Sequence, residues 1–245
     1  MIKTQHRRWA EFVFERYLNR LFRKHFHSIH LLGELPDIQP DLPLLLLPNH
    51  STWWDGFLVF LLNKKYLHRK LYLMMLEEQL CHFSFFRKVG AYSINPGSLN
   101  GIKESLKYTI EILKQQRSND ILICIFPQGV LSPWHKRPLD YKRGIGTIIN
   151  TYKDKVNILP LGIKTIFLKE QHPQIFLKFG QCDVVDSGSI KDIKHYEKQS
   201  EQILKSIIDE INAGFCGKII LSGSISISDR VTHIQKGLHI RRQGN

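Results

Sequence analysis

The hydrophobic positions of this chain fall into short continuous runs, separated by longer segments in which apolar residues recur every three or four positions. A continuous apolar run of about four to eight residues is typical of a buried strand, and the longer spacing is typical of a helix that buries one face. The runs predict strands at residues 44–47, 71–75, 121–126, 156–161 and 175–179. The helical spacing predicts helices at residues 56–63, 98–116, 141–152 and 191–211. This alternation indicates an α/β fold with a mostly parallel central sheet flanked by helices.

The N-terminal segment has a different pattern, in which aromatic and basic residues are interleaved. A helix is predicted over residues 9–26 from apolar positions at helical spacing, namely Trp9, Phe12, Val13, Tyr17, Leu21 and Phe22. Amphipathic helices of aromatic and basic character bind the headgroup layer of anionic membranes. A helix that packs on a protein core and exposes a basic face has the same periodicity. We predict a membrane-associating helix within residues 1–30 and keep the packed helix as the alternative.

Composition and charge narrow the classes of partner. The chain has 245 residues, of which 42% are hydrophobic, and this is enough for one domain with a substantial core. Its 35 basic and 22 acidic residues give a net charge of +13, which favours an anionic partner surface.

The four cysteines form no C-x-x-C pair and indicate reduced thiols in a reducing compartment. No apolar run approaches the roughly 18 residues of a membrane-spanning helix.

The C-terminal segment is a second basic region. Residues 230–245 contain four Lys or Arg and no Asp or Glu. Chain ends of this composition are typically poorly ordered and interact through their charge. We predict a basic, weakly ordered tail over residues 216–245.

A histidine and an aspartate follow the first predicted strand of the sheet. Asn49 and His50 come directly after it, and Asp55 follows five residues after the histidine. Open α/β sheets bind their ligands beyond the carboxyl ends of the strands. A carboxylate bonded to one ring nitrogen of a histidine fixes the tautomer and leaves the other nitrogen free to accept a proton. Because five residues on a straight helix turn a side chain by about 140°, this contact requires a turn between strand and helix. A hydrogen-bonded structural histidine is the alternative.

A second turn-forming segment ends the strand predicted at residues 121–126. It contains Phe126, Pro127, Gln128 and Gly129. The loops that follow parallel strands lie at one edge of the sheet. We therefore expect this segment to lie near His50.

These motifs resemble the ordered sequence blocks of the glycerolipid acyltransferases, in particular the lysophosphatidate acyltransferase type. The similar blocks are an HX4D motif preceded by Asn, a Phe-Pro-x-Gly motif and an apolar segment with a central proline, here Asn49 to Asp55, Phe126 to Gly129, and residues 158–161. A further similarity is the basic-glycine segment that often opens the next helix, here Lys142, Arg143 and Gly144. The resemblance covers about residues 40–165, and the three blocks in this order are more specific than any one of them.

The resemblance implies an O-acyltransferase domain over residues 31–215, which moves a fatty acyl group from acyl-CoA or acyl-carrier protein to a lipid hydroxyl. The implied acceptor is a lysophospholipid such as 1-acylglycerol-3-phosphate. His50 would take the hydroxyl proton and Asp55 would orient the imidazole, which makes these two the candidate catalytic residues. The candidate substrate-binding residues are Asn49, Phe126, Pro127, Gln128, Gly129 and Arg143. The thioester is a co-substrate, and neither a prosthetic group nor a metal is expected.

Several positions depart from the family pattern. Gln128 stands where a Glu is usual, and Leu131 stands where an Arg is usual. Another block that normally ends in Arg ends here in Asn95 and Pro96. An arginine binds phosphate through two parallel hydrogen bonds. A phosphate-free lipid acceptor, such as a glycosylated carotenoid or another glycolipid, is therefore the alternative.

The expected partners follow from these motifs and from the basic charge. They are an anionic membrane surface, the acyl donor and the lipid acceptor, with the protein lying peripherally on the cytoplasmic face of the cell membrane. The alternative without catalysis is a basic protein that binds anionic lipid or nucleic acid. The sequence contains no zinc finger, RNA-recognition submotif or recognisable helix-turn-helix, so nucleic acid is not an expected partner.

Overall fold

One mixed sheet runs through the chain, of which the computed structural model describes residues 1–115, 118–189 and 192–223. Its strands in chain order are β1 (Ser28–Leu32), β2 (Leu44–Pro48), β3 (Lys70–Leu76), β4 (Ala91–Ile94), β5 (Ile121–Cys124), β6 (Val156–Ile166), β7 (Gln174–Phe179), β8 (Asp183–Val185) and β9 (Lys218–Ser222). Among the described residues the strands pair in the order β4-β3-β5-β2-β6-β7-β1-β9, and β8 pairs with β6.

The strands on one side of this sheet share a direction. Five neighbours, β4, β3, β5, β2 and β6, run parallel to one another. The remaining side is mixed, because β7 is antiparallel to β6 and parallel to β1, and β9 is antiparallel to β1. The prediction of an α/β fold with a mostly parallel central sheet is confirmed. The parallel strands end at one edge, where ligands of such sheets bind.

Helices cover both faces of the sheet. They are α1 (Arg8–His25), α2 (Asp55–Leu62), α3 (Glu77–His82), α4 (Leu99–Leu113), α5 (Gly144–Tyr152) and α6 (Ile193–Asn212). Short π- or 3₁₀-helical turns lie at Asn63–Leu67, Ser84–Val89 and Ser118–Asp120. Within the described ranges, no helix combines the length and the apolar character that crossing a bilayer requires.

The side chains of the central strands alternate between two apolar clusters, one on each face of the sheet. Leu44 and Leu46 of β2 belong to the first cluster, which includes the buried residues of α1 and α2. Leu45 and Leu47 belong to the second cluster, which includes those of α4, α5 and α6. Because successive side chains of a strand point to opposite faces, a strand covered on both faces is apolar without interruption. Burying each such leucine contributes about 1.5–3 kcal/mol.

The buried face of α1 differs from the predicted one. The residues packed on the first cluster are spaced four apart and are at most 5% exposed, namely Ala10, Phe14, Leu18 and Phe22. Most of the aromatic positions that predict the helix point to solvent instead. Trp9, Phe12, Val13 and Tyr17 are 50–57% exposed. α1 therefore packs on the core along one side and leaves a second apolar side uncovered.

Several element bounds differ from those predicted, for example in β5, β6 and α5. β6 continues to Ile166, beyond residue 161, because it pairs antiparallel with β7. β5 ends at Cys124 and not at residue 126. α5 begins at Gly144 and not at residue 141, because the backbone N–H of Lys142 donates to the carbonyl of Pro127 at 2.8 Å and holds the preceding loop outside the helix.

The hydrophobic pattern does not predict the strands β1 and β9 at the far side of the sheet. β1 crosses the domain boundary predicted at residue 30, and β9 lies within the range predicted as a basic tail. His30 of β1 is buried, with its ring nitrogens bonded to the Ser28 hydroxyl at 2.6 Å and the Cys216 carbonyl at 2.8 Å. The rest of the predicted tail, residues 224–245, lies outside the described residues.

Candidate active site

The loops that follow β2 and β5 meet at the carboxyl edge of the parallel strands. The backbone N–H of His50 donates to the side-chain oxygen of Gln128 at 2.6 Å. The backbone N–H of Ser132 donates to the carbonyl of His50 at 2.9 Å. The structure thus places the two motif segments, which lie more than seventy residues apart in the chain, side by side.

His50 and Asp55 form a hydrogen-bonded pair across the turn that leads into α2. His50 Nδ1 lies 3.0 Å from Asp55 Oδ2, and Asp55 is the first residue of the helix. An ionised carboxylate only accepts hydrogen bonds, so Nδ1 donates and Nε2 is the nitrogen that can accept a proton. The side chain of His50 is 23% exposed, whereas that of Asp55 is fully buried. The imidazole is therefore accessible to a ligand, whereas the carboxylate is not.

Donors from the same turn compensate the buried charge of Asp55. Its Oδ2 accepts the backbone N–H groups of Ser51 at 2.7 Å and Thr52 at 2.9 Å. Its Oδ1 accepts the hydroxyl of Thr52 at 2.6 Å. Hydrogen bonds of this kind replace the water that a buried carboxylate loses. Together with the bond to His50 they fix the orientation of the carboxylate.

Two buried amide side chains hold the loop that carries His50. Asn49 accepts the backbone N–H of Ile163 at 2.7 Å and donates to the carbonyl of the same residue at 3.1 Å, which ties the loop to β6. Gln128 supplies the acceptor for the backbone of His50. Asn49 is 1% exposed and Gln128 is 2% exposed. The structure therefore places these two predicted substrate-binding residues behind the site and not at its surface.

A cavity of about 610 Å³ opens at His50. The ring of Phe126 forms one wall, stacked on the imidazole with the ring centroids 4.1 Å apart. Pro127 and Gly129 line the same cavity, as does Trp53, which is 56% exposed at its mouth. The lining is mostly aliphatic and aromatic, which is typical of a site that encloses a hydrophobic ligand.

The lining of this cavity carries very little charge. Among the described residues, Lys142 is the one lysine or arginine that lines it, and its Nζ lies 2.5 Å from a carboxylate oxygen of Asp140. Arg143, a predicted substrate-binding residue, is exposed and does not line the cavity. Pro96 and Leu131 do line it. The positions where the resembling family usually carries arginine are therefore at the cavity wall and apolar here.

A second lysine lies buried beside the loop of His50. Lys164 follows the residue bound by Asn49 and is 3% exposed. Its Nζ lies 3.0 Å from the ring centroid of Trp134. Burial lowers the pKa of Lys164 to about 8. Lys164 therefore loses its proton at a pH at which an exposed lysine keeps it.

The cysteine at the end of β5 is not an activated nucleophile. Cys124 is fully buried. Burial, and to a smaller extent the charge of Asp55, raise the pKa of its thiol well above the ordinary value. The neutral thiol is not the attacking form. The sequence also contains no G-x-S-x-G nucleophile elbow.

Comparison with known families identifies the kind of protein that carries this arrangement. A family model described as acyltransferase matches residues 31–164, which is more than half of the chain. The chain belongs to the acyltransferase family. The matched range contains His50, Asp55 and the segment from Phe126 to Gly129. The protein is thus an acyltransferase enzyme, and its substrates are an acyl donor and a lipid acceptor.

A solved structure shares the fold of this acyltransferase. It is the crystal structure of the 1-acyl-sn-glycerophosphate acyltransferase PlsC from Thermotoga maritima, with a TM-score of 0.56 and 17% sequence identity. The similarity covers 83% of this chain and 80% of that chain. A search of curated protein sequences finds no match.

Some residues of the site are not evident from the motifs. Thr52 donates to Asp55 through both its backbone N–H and its hydroxyl, and the Thr-x-x-Asp spacing, which resembles a capping box, is a local signal for this contact. The cavity walls contributed by α4 and α5 carry no local signal, because those helices are distant from His50 in sequence. Of the two tryptophans of the motif, Trp53 lines the cavity, whereas Trp54 packs against Phe22 and Phe26.

Proposed function

We propose that this acyltransferase moves a fatty acyl group from an acyl thioester to a lipid hydroxyl, with His50 as the general base. The observation that carries this proposal is the His50–Asp55 pair, 3.0 Å apart, at the wall of a mostly apolar cavity. A hydrocarbon chain fits an apolar cavity, and an oriented imidazole removes the proton that a lipid hydroxyl must lose.

The reaction proceeds by direct attack of the acceptor on the thioester. Nε2 of His50 accepts the hydroxyl proton while the oxygen bonds to the thioester carbonyl carbon. The carbon–sulfur bond then breaks, and the imidazolium gives its proton to the departing thiolate, which leaves an ester and a free thiol. Asp55 acts as a positioning residue, because its carboxylate holds the tautomer and stabilises the imidazolium.

The donor class follows from the same chemistry. A thioester is already activated towards attack, so the proposed reaction calls for no prosthetic group. Acyl-CoA and acyl-carrier protein both present a thioester on a flexible pantetheine arm. The basic surface, with a net charge of +13 for the whole chain, suits the phosphates of the first and the acidic surface of a carrier protein.

The first candidate acceptor is a lysophospholipid such as 1-acylglycerol-3-phosphate. Its support is the resemblance of the sequence blocks, together with the shared fold of PlsC, a 1-acyl-sn-glycerophosphate acyltransferase. Lys142 at the cavity wall supplies one cation to an acceptor phosphate.

A phosphate-free lipid is the second candidate acceptor. The observation that favours it is that Pro96 and Leu131 line the cavity where a phosphate-binding enzyme of the resembling type carries arginine. Trp53 at the mouth offers an exposed aromatic face, and such faces pack well against sugar rings and isoprenoid chains.

We also propose that the protein lies peripherally on the cytoplasmic face of an anionic membrane, through the uncovered side of α1. Trp9, Phe12 and Tyr17 are exposed on that side, and the guanidinium of Arg16 lies 4.5 Å from the ring centroid of Phe12. Exposed aromatics combined with basic residues favour the anionic headgroup layer.

The membrane proposal is tested by vesicle sedimentation. Replacing Phe12 and Tyr17 together by Ser should lower partition onto vesicles of phosphatidylglycerol and phosphatidylcholine at least about tenfold. The matched control is Phe215→Ser, which removes an aromatic residue that is 67% exposed elsewhere on the surface. Equal loss in the control and the double variant contradicts an α1 contact.

The acceptor is tested by an acyl-transfer assay that runs three acceptors in parallel with one acyl-CoA donor. They are lysophosphatidate, a lysophosphatidylcholine and a glycosylated neutral lipid, each with wild type and with His50→Ala. Transfer to lysophosphatidate that disappears in the variant supports the first candidate. Transfer to the neutral lipid alone supports the second. Transfer to none of them, with acyl-CoA and again with an acyl-carrier-protein donor, contradicts the proposed function.

A further inference from the structure

A short segment just before α5 brings positive charge to the wall of the cavity. Residues 139–142, the rim segment, end in Lys142, which is the one lysine or arginine that the described residues place in the cavity lining. The backbone N–H of Lys142 donates to the carbonyl of Pro127 at 2.8 Å. A Cβ atom added at Gly129 would lie 3.8 Å from Lys142 Cγ, so the stem of the lysine passes over a residue without a side chain. Because a lysine stem is flexible, the path of the rim segment decides where the ammonium lies.

Two glutamates of α6 bind the backbone of the rim segment. Glu201 accepts the N–H of Leu139 at 3.0 Å, and Glu197 accepts the N–H of Tyr141 at 3.1 Å. The two glutamates are four positions apart and therefore lie on the same side of the helix. Neither of them lines the cavity. α6 begins at Ile193, beyond residue 164, where the match to the acyltransferase model ends.

The residue between the two bonded N–H groups has a left-handed backbone. Asp140 has a φ of 61°, a conformation that is uncommon for residues with a Cβ atom, although Asp tolerates it better than most. Its carboxylate oxygen lies 2.5 Å from Lys142 Nζ. The hydrogen bonds to α6 on both sides of Asp140 hold the backbone that aims this carboxylate. α6 therefore sets the position of the Lys142 ammonium through Asp140.

The helix by itself gains nothing from these two glutamates. Like charges four positions apart on a helix repel each other, and Glu197 and Glu201 are both half-buried. Hydrogen bonds from backbone N–H groups compensate carboxylates in such a position. The two carboxylates on one side of α6 are therefore explained by their bonds to the rim segment.

We propose that Glu197 and Glu201 are positioning residues, which hold the rim segment so that Lys142 presents its ammonium to the phosphate of an anionic acceptor. This inference rests on the proposed function and on its first candidate acceptor. The glutamates touch no substrate and act through Lys142. Their negative charges alone would repel a phosphate. Positioning and simple electrostatics therefore predict effects of opposite sign when the glutamates are replaced.

Two paired substitutions separate these effects. The leucine pair, Glu197→Leu with Glu201→Leu, removes the charges and the acceptor oxygens. The glutamine pair, Glu197→Gln with Glu201→Gln, removes the charges and keeps an acceptor oxygen at each position. Leucine favours helix, and the side chains of Leu139 and Tyr141 are at most 7% exposed within the second apolar cluster, so both pairs should fold. The matched control is Glu210→Leu, on the same helix, whose carboxylate contacts Lys178 and not the rim segment.

Binding of decyl phosphate and of the neutral decyl glucoside, measured by calorimetry below micelle-forming concentrations, tests the proposal without relying on catalysis. The leucine pair should weaken decyl phosphate binding at least about fivefold and leave decyl glucoside binding unchanged. The glutamine pair and Glu210→Leu should bind decyl phosphate as tightly as wild type or tighter. Unchanged or tighter phosphate binding in the leucine pair overturns the proposal, and so do equal losses for the two ligands or in the two pairs.

A double-mutant cycle tests whether the glutamates act through Lys142. Lys142→Met should weaken decyl phosphate binding by about the same factor as the leucine pair, and the leucine pair should have little further effect in a Lys142→Met background. If the leucine pair costs as much in that background as in wild type, the glutamates do not act through Lys142 and the proposal is wrong. A wild-type protein that binds decyl phosphate no better than decyl glucoside overturns it as well.

Kinetics separate this proposal from the proposed function. The leucine pair should raise KM for lysophosphatidate at least about fivefold with kcat nearly unchanged, since the His50–Asp55 pair is not altered. A fall in kcat with an unchanged KM would overturn the positioning role. If the binding results are as expected but wild type transfers no acyl group to any acceptor, the role of the glutamates stands and the proposed function is contradicted instead.

Discussion

The turn around His50 and the cavity beside it differ in how their residues are held and in what they contact. In the turn, every polar group named above has a partner, and Asp55 accepts four hydrogen bonds from His50, Ser51 and Thr52. In the cavity the lining is mostly apolar, and Lys142 is the one charged side chain that the described residues place there. The turn is fixed by directional bonds, whereas the cavity is defined mainly by shape.

This difference separates catalysis from recognition. A directional network sets the position of one proton acceptor, so a change within it alters turnover whichever lipid is bound. An apolar wall discriminates by volume, so a change there redistributes activity among substrates. A variant in the turn should therefore lower the rates with all acceptors together. A variant in the cavity wall should change the ratio of the rates between acceptors.

Among the variants that leave His50 in place, the largest effect is expected from Asp55→Asn. An amide can donate to Nδ1 and so favour the wrong tautomer of His50, and we expect kcat to fall by about 10³-fold with every acceptor. Near-unchanged circular dichroism and dodecanoate binding would show that the fold and the cavity survive. A loss of activity with only one acceptor would contradict the claim that the turn affects turnover with every acceptor and the cavity affects acceptor choice.

A smaller effect is expected when the acceptor for the backbone of His50 is removed. Gln128→Leu deletes the oxygen that lies 2.6 Å from that N–H, which should cost about 1–3 kcal/mol of folding free energy. Because the loop loosens, kcat should fall about tenfold for all acceptors. Gln128→Glu keeps an acceptor oxygen and is the control, measured by urea unfolding and by turnover. Equal losses in both variants would assign the effect to the amide donor instead.

A substitution in the cavity wall should change the ratio between acceptors. Leu131→Arg places a guanidinium where the resembling family usually carries one, and a charge-assisted bond to phosphate is worth about 1.5–3 kcal/mol. We expect the kcat/KM for lysophosphatidate to rise at least about tenfold relative to that for a neutral glycolipid. The matched control is Leu131→Met, which keeps the wall apolar. An equal change for both acceptors would argue against a phosphate near residue 131.

The smallest effect concerns stability and not turnover. Burial lowers the pKa of Lys164 to about 8 from an ordinary value of 10.5. Between these values the unfolded chain binds more protons than the folded one, so stability rises with pH from about 8 to 10.5. Lys164→Met should flatten that rise in the free energy of unfolding measured by urea titration. An unchanged slope in the variant would mean that other groups cause it.

The central strands could be predicted because burial on both faces makes them apolar without interruption, as at Leu44 to Leu47. β1 could not, because Ser28 and His30 interrupt its apolar run and become buried only through their bonds to one another and to Cys216. β9 depends on pairing with β1 across the length of the chain. The local hydrophobic pattern shows neither these hydrogen bonds nor this strand pairing.

Part of the site could be predicted from the sequence. The segments of His50 and Gln128 could be placed together, because loops after parallel strands share an edge. The inward side chains of Asn49 and Gln128 could not be foreseen, since their partners lie in other segments. The buried side of α1 could not be predicted either. Phe14 is buried and Phe12 is exposed, because the packing of α2 against Phe14 decides which aromatic side of α1 is covered.

The most direct test of the central claim is the pH dependence of single-turnover acyl transfer between pH 5 and 8, for wild type and for His50→Ala. A general base accepts a proton only in its unprotonated form, so the wild-type rate should fall on acidification. The variant should be slower by about 10⁴-fold and lose this dependence. A wild-type rate that stays flat across this range, or a variant that retains the wild-type rate, would contradict the assignment of His50.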